Sequence, residues 1–91
     1  MGKVLKFKTM IKIKIYSTPF CGYCKIAKDF FDKKGLSYEE VDVSVDEKAA
    51  QEMVARTNQM GVPVIEMGEE IVIGFNKSQI EKILIASGDL K

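Results

Sequence analysis

The hydrophobic pattern of this chain changes period just where its two cysteines stand. Ile11-Lys12-Ile13-Lys14-Ile15-Tyr16 alternates apolar and polar side chains, as a strand with two different faces does. After Pro19, Ile26, Ala27, Phe30 and Phe31 recur at helical spacing, which predicts a helix from about Gly22 to Lys34 with those four on its apolar face and Gly35 as its stop. Cys21 and Cys24 fall at the changeover from strand to helix. Three residues apart is about one helical turn, so the two sulfurs share a face and can close a small disulfide. The first lies among the unpaired N–H groups of the helix start, where positive potential favours thiolate over thiol. The pair reads as a redox switch, with Cys21 and Cys24 as the catalytic residues.

The rest of the chain extends this unit. Tyr38 to Val43 alternates again as a second strand, with Tyr38, Val41 and Val43 set among acids. Ser44-Val45-Asp46-Glu47 has capping-box spacing, which predicts a helix from about Val45 to Thr57 with Ala49, Ala50, Met53 and Val54 facing inward. Beyond the loop from Asn58 to Gly61, the short apolar runs Pro63 to Met67 and Glu70 to Ile73 are separated by Gly68-Glu69, the signal of a tight antiparallel hairpin. Asn76 can cap a last helix that carries Ile80, Ile83 and Leu84 on one face and stops at Gly88. The order β-α-β-α-β-β-α implies an α/β fold: a four-stranded mixed sheet, parallel through the first crossover, with three helices covering both faces.

With 91 residues there is room for one small domain, and 46% hydrophobic content supplies its core. Residues 10–91 are expected to form it. Residues 1–9 are expected to be an extension: an extra edge strand, a frayed arm or a leftover non-native segment. The 14 basic and 13 acidic residues are interspersed, so nothing points to nucleic acid. No stretch approaches the roughly 20 apolar residues that span a bilayer, and lysines interrupt the N-terminal segment where a signal peptide would be apolar. The expected location is therefore cytoplasmic, where a cysteine pair is more often transient and catalytic than structural. A four-residue ring would also constrain the unfolded chain very little.

Over Ile11 to Leu84 the chain resembles the glutaredoxins, which have a minimal thioredoxin fold. Three features carry the resemblance: the cysteine pair directly after the first strand, Gly61-Val62-Pro63 where the family keeps Thr-Val-Pro with a cis proline, and Gly74 closing the hairpin before the last helix. Phe20-Cys21-Gly22-Tyr23-Cys24 is closer to the glutaredoxin Cys-Pro-Tyr-Cys than to the thioredoxin Trp-Cys-Gly-Pro-Cys. The resemblance implies a thiol-disulfide oxidoreductase acting as a monomer on protein or low-molecular-weight disulfides. Cys21 attacks the substrate and Cys24 resolves the mixed disulfide. Phe20, Tyr23, Val62, Pro63, Gly74 and Phe75 are the implied substrate-binding residues. Pro63 lacks an N–H and must start a strand or lie on an edge; read as cis, it turns the Val62 backbone toward an incoming substrate, and read otherwise it merely ends a loop. Tyr23 is read as a substrate contact and alternatively as a half-buried ring. Lys25 is read as an ordinary solvated side chain, and Met10, Met53, Met60 and Met67 as core or rim filler.

Departures from the family bear on the electron donor. Glutathione-using glutaredoxins share a lysine where this chain has Thr18, and a Gly-Gly pair followed by aspartates where it has Gly74-Phe75-Asn76-Lys77-Ser78. That stretch looks more like the redoxins recharged by a thioredoxin reductase-type flavoprotein. The expected partners are disulfide-containing proteins and such a flavoprotein, with glutathione as the lesser co-substrate and no tightly bound cofactor. The alternative is a homodimeric carrier of a [2Fe–2S] cluster ligated with glutathione, suggested by the small residue Gly22 after Cys21. A zinc site would need four ligands, and with two cysteines and no histidine it would require two chains.

Overall fold

A computed structural model describes residues 11–88 of the chain. The expectation for residues 1–9 lies outside them, as does Met10. The elements are β1 (Ile13–Ser17), α1 (Gly22–Lys33), β2 (Glu39–Asp42), α2 (Glu47–Thr57), β3 (Val64–Met67), β4 (Glu70–Ile73) and α3 (Lys77–Ser87). They form one sheet in the order β2-β1-β3-β4. β1 and β2 are parallel, and β3 is antiparallel to both β1 and β4. This is the expected α/β fold.

Strand alternation divides the core in two. Ile13, Ile15, Ile65, Met67 and Val72 face Ala27 and Phe31 of α1 and Ile80 and Leu84 of α3. Tyr16 and Val64 project to the other side, against Ala49 and Met53 of α2. The alternating residues in and beside β2 split accordingly. Tyr38 packs with the first cluster, and Val41 and Val43 pack with the second. Met53 and Met67 are core residues, and Met60 is an exposed rim residue.

The structure corrects two local expectations. Ile26 is not part of the inward face of α1: it is exposed, and the buried stripe runs Cys24, Ala27, Phe31, with Phe30 half-buried. Two residues along a helix turn the side chain about 200°, so placing Cys24 inward sends Ile26 outward. Nor does Ser44 cap α2. The Asp42 carboxylate accepts hydrogen bonds from both the Ser44 amide and its hydroxyl, holding residues 43–45 in a turn. Asp46 caps instead, its Oδ1 accepting from the Ala49 N–H at 3.0 Å. At the other boundaries the expected punctuation is in place. Gly35, Gly68, Gly74 and Gly88 all have positive φ, and Asn76 accepts from the Gln79 N–H to start α3.

Candidate active site

Cys21 is the N-cap of α1. Its backbone is still extended, while its Sγ lies 3.1 Å from the Cys24 amide nitrogen, which donates to it. A sulfur in this position takes up one of the helix's orphan N–H groups and sits at the positive end of the helix dipole. The Cys21 thiol in turn donates to the Val62 carbonyl at 3.7 Å. One hydrogen bond thus ties it to its own helix, the other to the chain before β3.

Cys24 is different. It is free, like Cys21, but buried, on the same face of α1 as Ala27 and Phe31. Burial pushes its pKa up to about 12, reinforced by its hydrogen bond with Cys21, while the Thr18 backbone amide and the Lys28 charge oppose the rise. The result is a dithiol of unequal members: one sulfur reachable and held by an amide donor, the other protonated and withdrawn.

The Val62–Pro63 peptide bond is cis, as the family resemblance implied. Pro63 is buried, its carbonyl accepts from the Gly74 N–H at 2.8 Å, and this bond fixes the end of the hairpin beside the proline. Among the described residues the Val62 N–H makes no hydrogen bond, and it precedes β3 on the side where Cys21 stands. A cavity of about 530 Å³ lies there, lined by Tyr23, Val62, Pro63, Ile73, Gly74 and Phe75 with Asn76 and Lys77. Five of the six substrate-binding residues read from sequence, Tyr23, Val62, Pro63, Gly74 and Phe75, are therefore brought together. The sixth, Phe20, is 91% exposed and belongs to a second cavity of about 510 Å³ on the other flank of Cys21. Thr18, Lys25, Lys28, Asp29, Asp32, Tyr38 and Glu40 share that second cavity, and Lys25 is exposed there.

Phe75 does more than occupy the space of a glycine. Its ring packs edge-on to Phe30, with centroids 5.7 Å apart, and Phe30 is itself edge-on to Phe31 at 5.5 Å. The loop wall is thereby anchored to α1. Two further groups were not singled out by the sequence. Gln59 clamps the Gly61 backbone, accepting from its N–H at 2.7 Å and donating to its carbonyl at 3.1 Å, just ahead of Val62. Glu40 accepts hydrogen bonds from the Ser17 hydroxyl and the Lys28 ammonium, both at 2.8 Å. Lys28 and Ser17 hold the Glu40 carboxyl below the usual carboxylate range, and Glu40 raises Lys28 in return. Glu40 and Lys28 carried no motif, but Lys28 stands one turn beyond Cys24, a spacing that was readable.

A strand-fed helix whose first turn carries two unequal thiols beside a cis proline defines a thioredoxin-fold protein with a redox-type cysteine pair. The family model described as Glutaredoxin matches residues 13–72, and the chain belongs to that family. Its general activity is thiol-disulfide oxidoreduction. The chain is 43% identical over 72 residues to a glutaredoxin-like 8.6 kDa protein of the rubredoxin operon of Clostridium pasteurianum, covering 79% of this chain and 96% of that one. The crystal structure of the thioredoxin-like protein BC3987 superposes with a TM-score of 0.74 at 29% identity, over 79% of this chain and 99% of that one. The glutaredoxin-like NrdH-redoxin of Escherichia coli, whose activity profile is described as thioredoxin-like, superposes with a TM-score of 0.72 at 25% identity, over 78% and 92% of the two chains. Among the described residues no helix is long and apolar enough to cross a membrane.

Proposed function

We propose that the protein reduces disulfides by a two-thiol cycle in which Cys21 attacks and Cys24 resolves. The observation that carries this reading is the inequality of the two sulfurs. Cys21 is partly exposed and accepts an amide hydrogen bond, whereas Cys24 is buried with its pKa pushed up to about 12. The Cys21 thiolate attacks a substrate disulfide, forming a mixed disulfide and expelling one substrate thiol. Cys24 then attacks Cys21 Sγ, expelling the second thiol and leaving a Cys21–Cys24 disulfide. Protein disulfides suit the surroundings. Phe20, Tyr23 and Ile73 are exposed hydrophobic side chains lining the two cavities that flank the reachable sulfur, and the Val62 N–H, unpaired among the described residues, can pair with an extended segment in the manner of an added strand.

For recharging, the reading favours a flavoprotein reductase of the thioredoxin reductase type over glutathione. The loop from Gly74 to Ser78 offers no acid to an amino group, and Phe75 is fixed against Phe30. The likeness to a redoxin with a thioredoxin-like activity profile supports the same choice. A shared iron–sulfur cluster would need glutathione to complete its ligands. Cys24 is buried and the same loop gives glutathione no acidic partner, so the residues present do not fit that role. Among the described residues no group of three or more Cys, Asp or Glu side chains could hold a metal ion.

Single-cysteine variants test the order of attack. Cys21→Ser is expected to abolish reduction of a protein disulfide. Cys24→Ser is expected to stop turnover while a substrate adduct accumulates on Cys21, visible by mass spectrometry. Adducts on Cys24, or equal residual activity in the two variants, would refute the assignment.

A further inference from the structure

Cys24 must act as a nucleophile from a buried position, and the polar groups around it have no part in the cycle as described so far. Ser17, at the end of β1, is 1% exposed, a buried polar residue on the face of the sheet covered by α1. Its hydroxyl is satisfied by Glu40 of β2, which lies on the same face and also holds Lys28 at 2.8 Å. Lys28 follows Cys24 by four residues on α1, so the two side chains share one stripe of the helix, a turn apart. The Thr18 backbone amide, next to Ser17, acts to lower the Cys24 pKa. The groups that act most on Cys24 are thus Cys21, the Thr18 amide and Lys28, while Asp29 and Glu40 act on Lys28 and Asp42 acts on Glu40.

We propose that Lys28, oriented by Glu40 and Ser17, is a positioning residue that supplies the positive charge by which Cys24 becomes the nucleophile of the resolving step. The inference rests on the two-thiol reading above. In that step the Cys21–substrate S–S bond breaks and a Cys21–Cys24 bond forms. The departing substrate sulfur takes the electron pair, and the Cys24 proton passes to it or to water. Negative charge therefore develops on Cys24 as its proton leaves, inside a packed helix face where few other charges can answer it. A lysine one turn away stabilises that charge, and the Glu40 carboxylate partly offsets the lysine. Ser17 fixes the carboxylate, so the fold sets the geometry of the offset, while the pair itself stands at the surface with side chains 30% and 39% exposed. The signs agree with the direction in which the Lys28 charge opposes the rise in Cys24.

The opposed charges give the test its form. The reduced protein is mixed with dithiobis(nitrobenzoate), and release of the coloured thiol is followed by stopped flow. A first phase reports attack by Cys21 and a second reports attack by Cys24, each across the neutral pH range. Lys28→Gln removes the positive charge and is expected to move the second-phase profile to higher pH. Glu40→Gln keeps the hydrogen-bonding shape but removes the offset, and is expected to move it to lower pH. A shift of about one unit changes the thiolate population about tenfold. The opposing change in intrinsic nucleophilicity leaves roughly threefold in rate, slower for Lys28→Gln and faster for Glu40→Gln. The first phase stays unchanged in both variants, and Lys28→Arg restores the original profile. Shifts in the same direction, or none in either variant, would overturn the inference, since a purely structural ion pair damages both variants alike. A wild-type protein with no second phase would instead overturn the two-thiol reading itself.

Discussion

On one side of Cys21 the wall is made of Tyr23, Val62, Pro63, Ile73 and Phe75, with Asn76 and Lys77 beside them; on the other Lys25, Lys28, Asp29, Asp32 and Glu40 stand with Phe20 and Tyr38. The first flank is mostly apolar, with a stretch of backbone whose N–H at Val62 is unpaired among the described residues, and it is braced from behind by the edge-on rings of Phe75, Phe30 and Phe31. The second flank is charged, holds the Lys28–Glu40 pair, and is continuous with the buried Ser17. Two cavities of similar volume, about 530 and 510 Å³, therefore offer different surroundings to the one sulfur. The apolar flank suits recognition, where burying nonpolar surface and pairing backbone give affinity. The charged flank suits control of ionisation near Cys24. A single helix start serves both because it places one sulfur outward and the next one turn inward.

The strongest test of that division is the reactivity of the two sulfurs. Cys24 is pushed up to about 12 by burial first and by Cys21 second. Near pH 7.5 iodoacetamide is therefore expected to modify Cys21 at least about a hundredfold faster than Cys24, because the thiolate is the reacting form. Peptide mapping after short exposure measures the ratio; equal labelling would remove the distinction between the flanks. The same shift links to stability. The folded state keeps the Cys24 proton more tightly than the unfolded chain, whose cysteines titrate near about 8.5. The associated stability is complete below that pH and is lost as pH rises from there through the folded value near 12. Denaturant midpoints at pH 7 and pH 10 should fall more in the native sequence than in Cys24→Ala.

A smaller effect is expected from the bracing of the apolar flank. Phe75→Ala removes the ring packed at 5.7 Å from Phe30. Phe75 is half-buried, so the cost should be about 2 kcal/mol, below the 3–5 kcal/mol typical of a fully buried phenylalanine. In a domain of this size that lowers the melting temperature by roughly 10 °C. Lys25→Ala on the charged flank, an exposed position, should stay within about 0.5 kcal/mol of the native sequence. Comparable losses in the two variants would mean that the rings do not brace the wall.

Legibility in the sequence followed the same divide. Period and punctuation disclosed every element in order, because Gly35, Gly68, Gly74, Asn76 and Gly88 each meet a backbone need that only a few residue types satisfy. The apolar flank was readable by resemblance, since Val62-Pro63 and Gly74 are local motifs. The charged flank was not. Ser17, Lys28 and Glu40 are far apart in sequence, belong to three elements, and meet only when β2 pairs in parallel with β1 and α1 packs across them. The cap of α2 was misplaced for a related reason. Ser44 has the right type and spacing, but its amide and hydroxyl both donate to Asp42 within the turn, so the helix starts later, at Glu47, and Asp46 is the acceptor at its first turn.

The donor provides the finest test of the apolar flank. Thr18→Lys, Phe75→Gly and Lys77→Asp together would introduce the lysine, the second glycine and an acid where glutathione-using relatives carry them. An exposed charge contact contributes only about 0.2 to 1 kcal/mol, so either charge change alone should alter turnover by less than about fivefold. The triple variant should raise turnover of a glutathione mixed disulfide several-fold, measured by steady-state kinetics with glutathione and its reductase. Because Phe75 also braces the wall, Phe75→Gly carries the stability loss argued above, and Phe75→Ala is the control that separates loosening from recognition. A gain in the triple variant but not in Phe75→Ala would assign the missing glutathione contacts to Thr18, Phe75 and Lys77. Equal gains would show that a movable wall suffices. Native turnover already at the level of a typical glutathione-using glutaredoxin, with no gain in the triple variant, would remove the case for a flavoprotein donor.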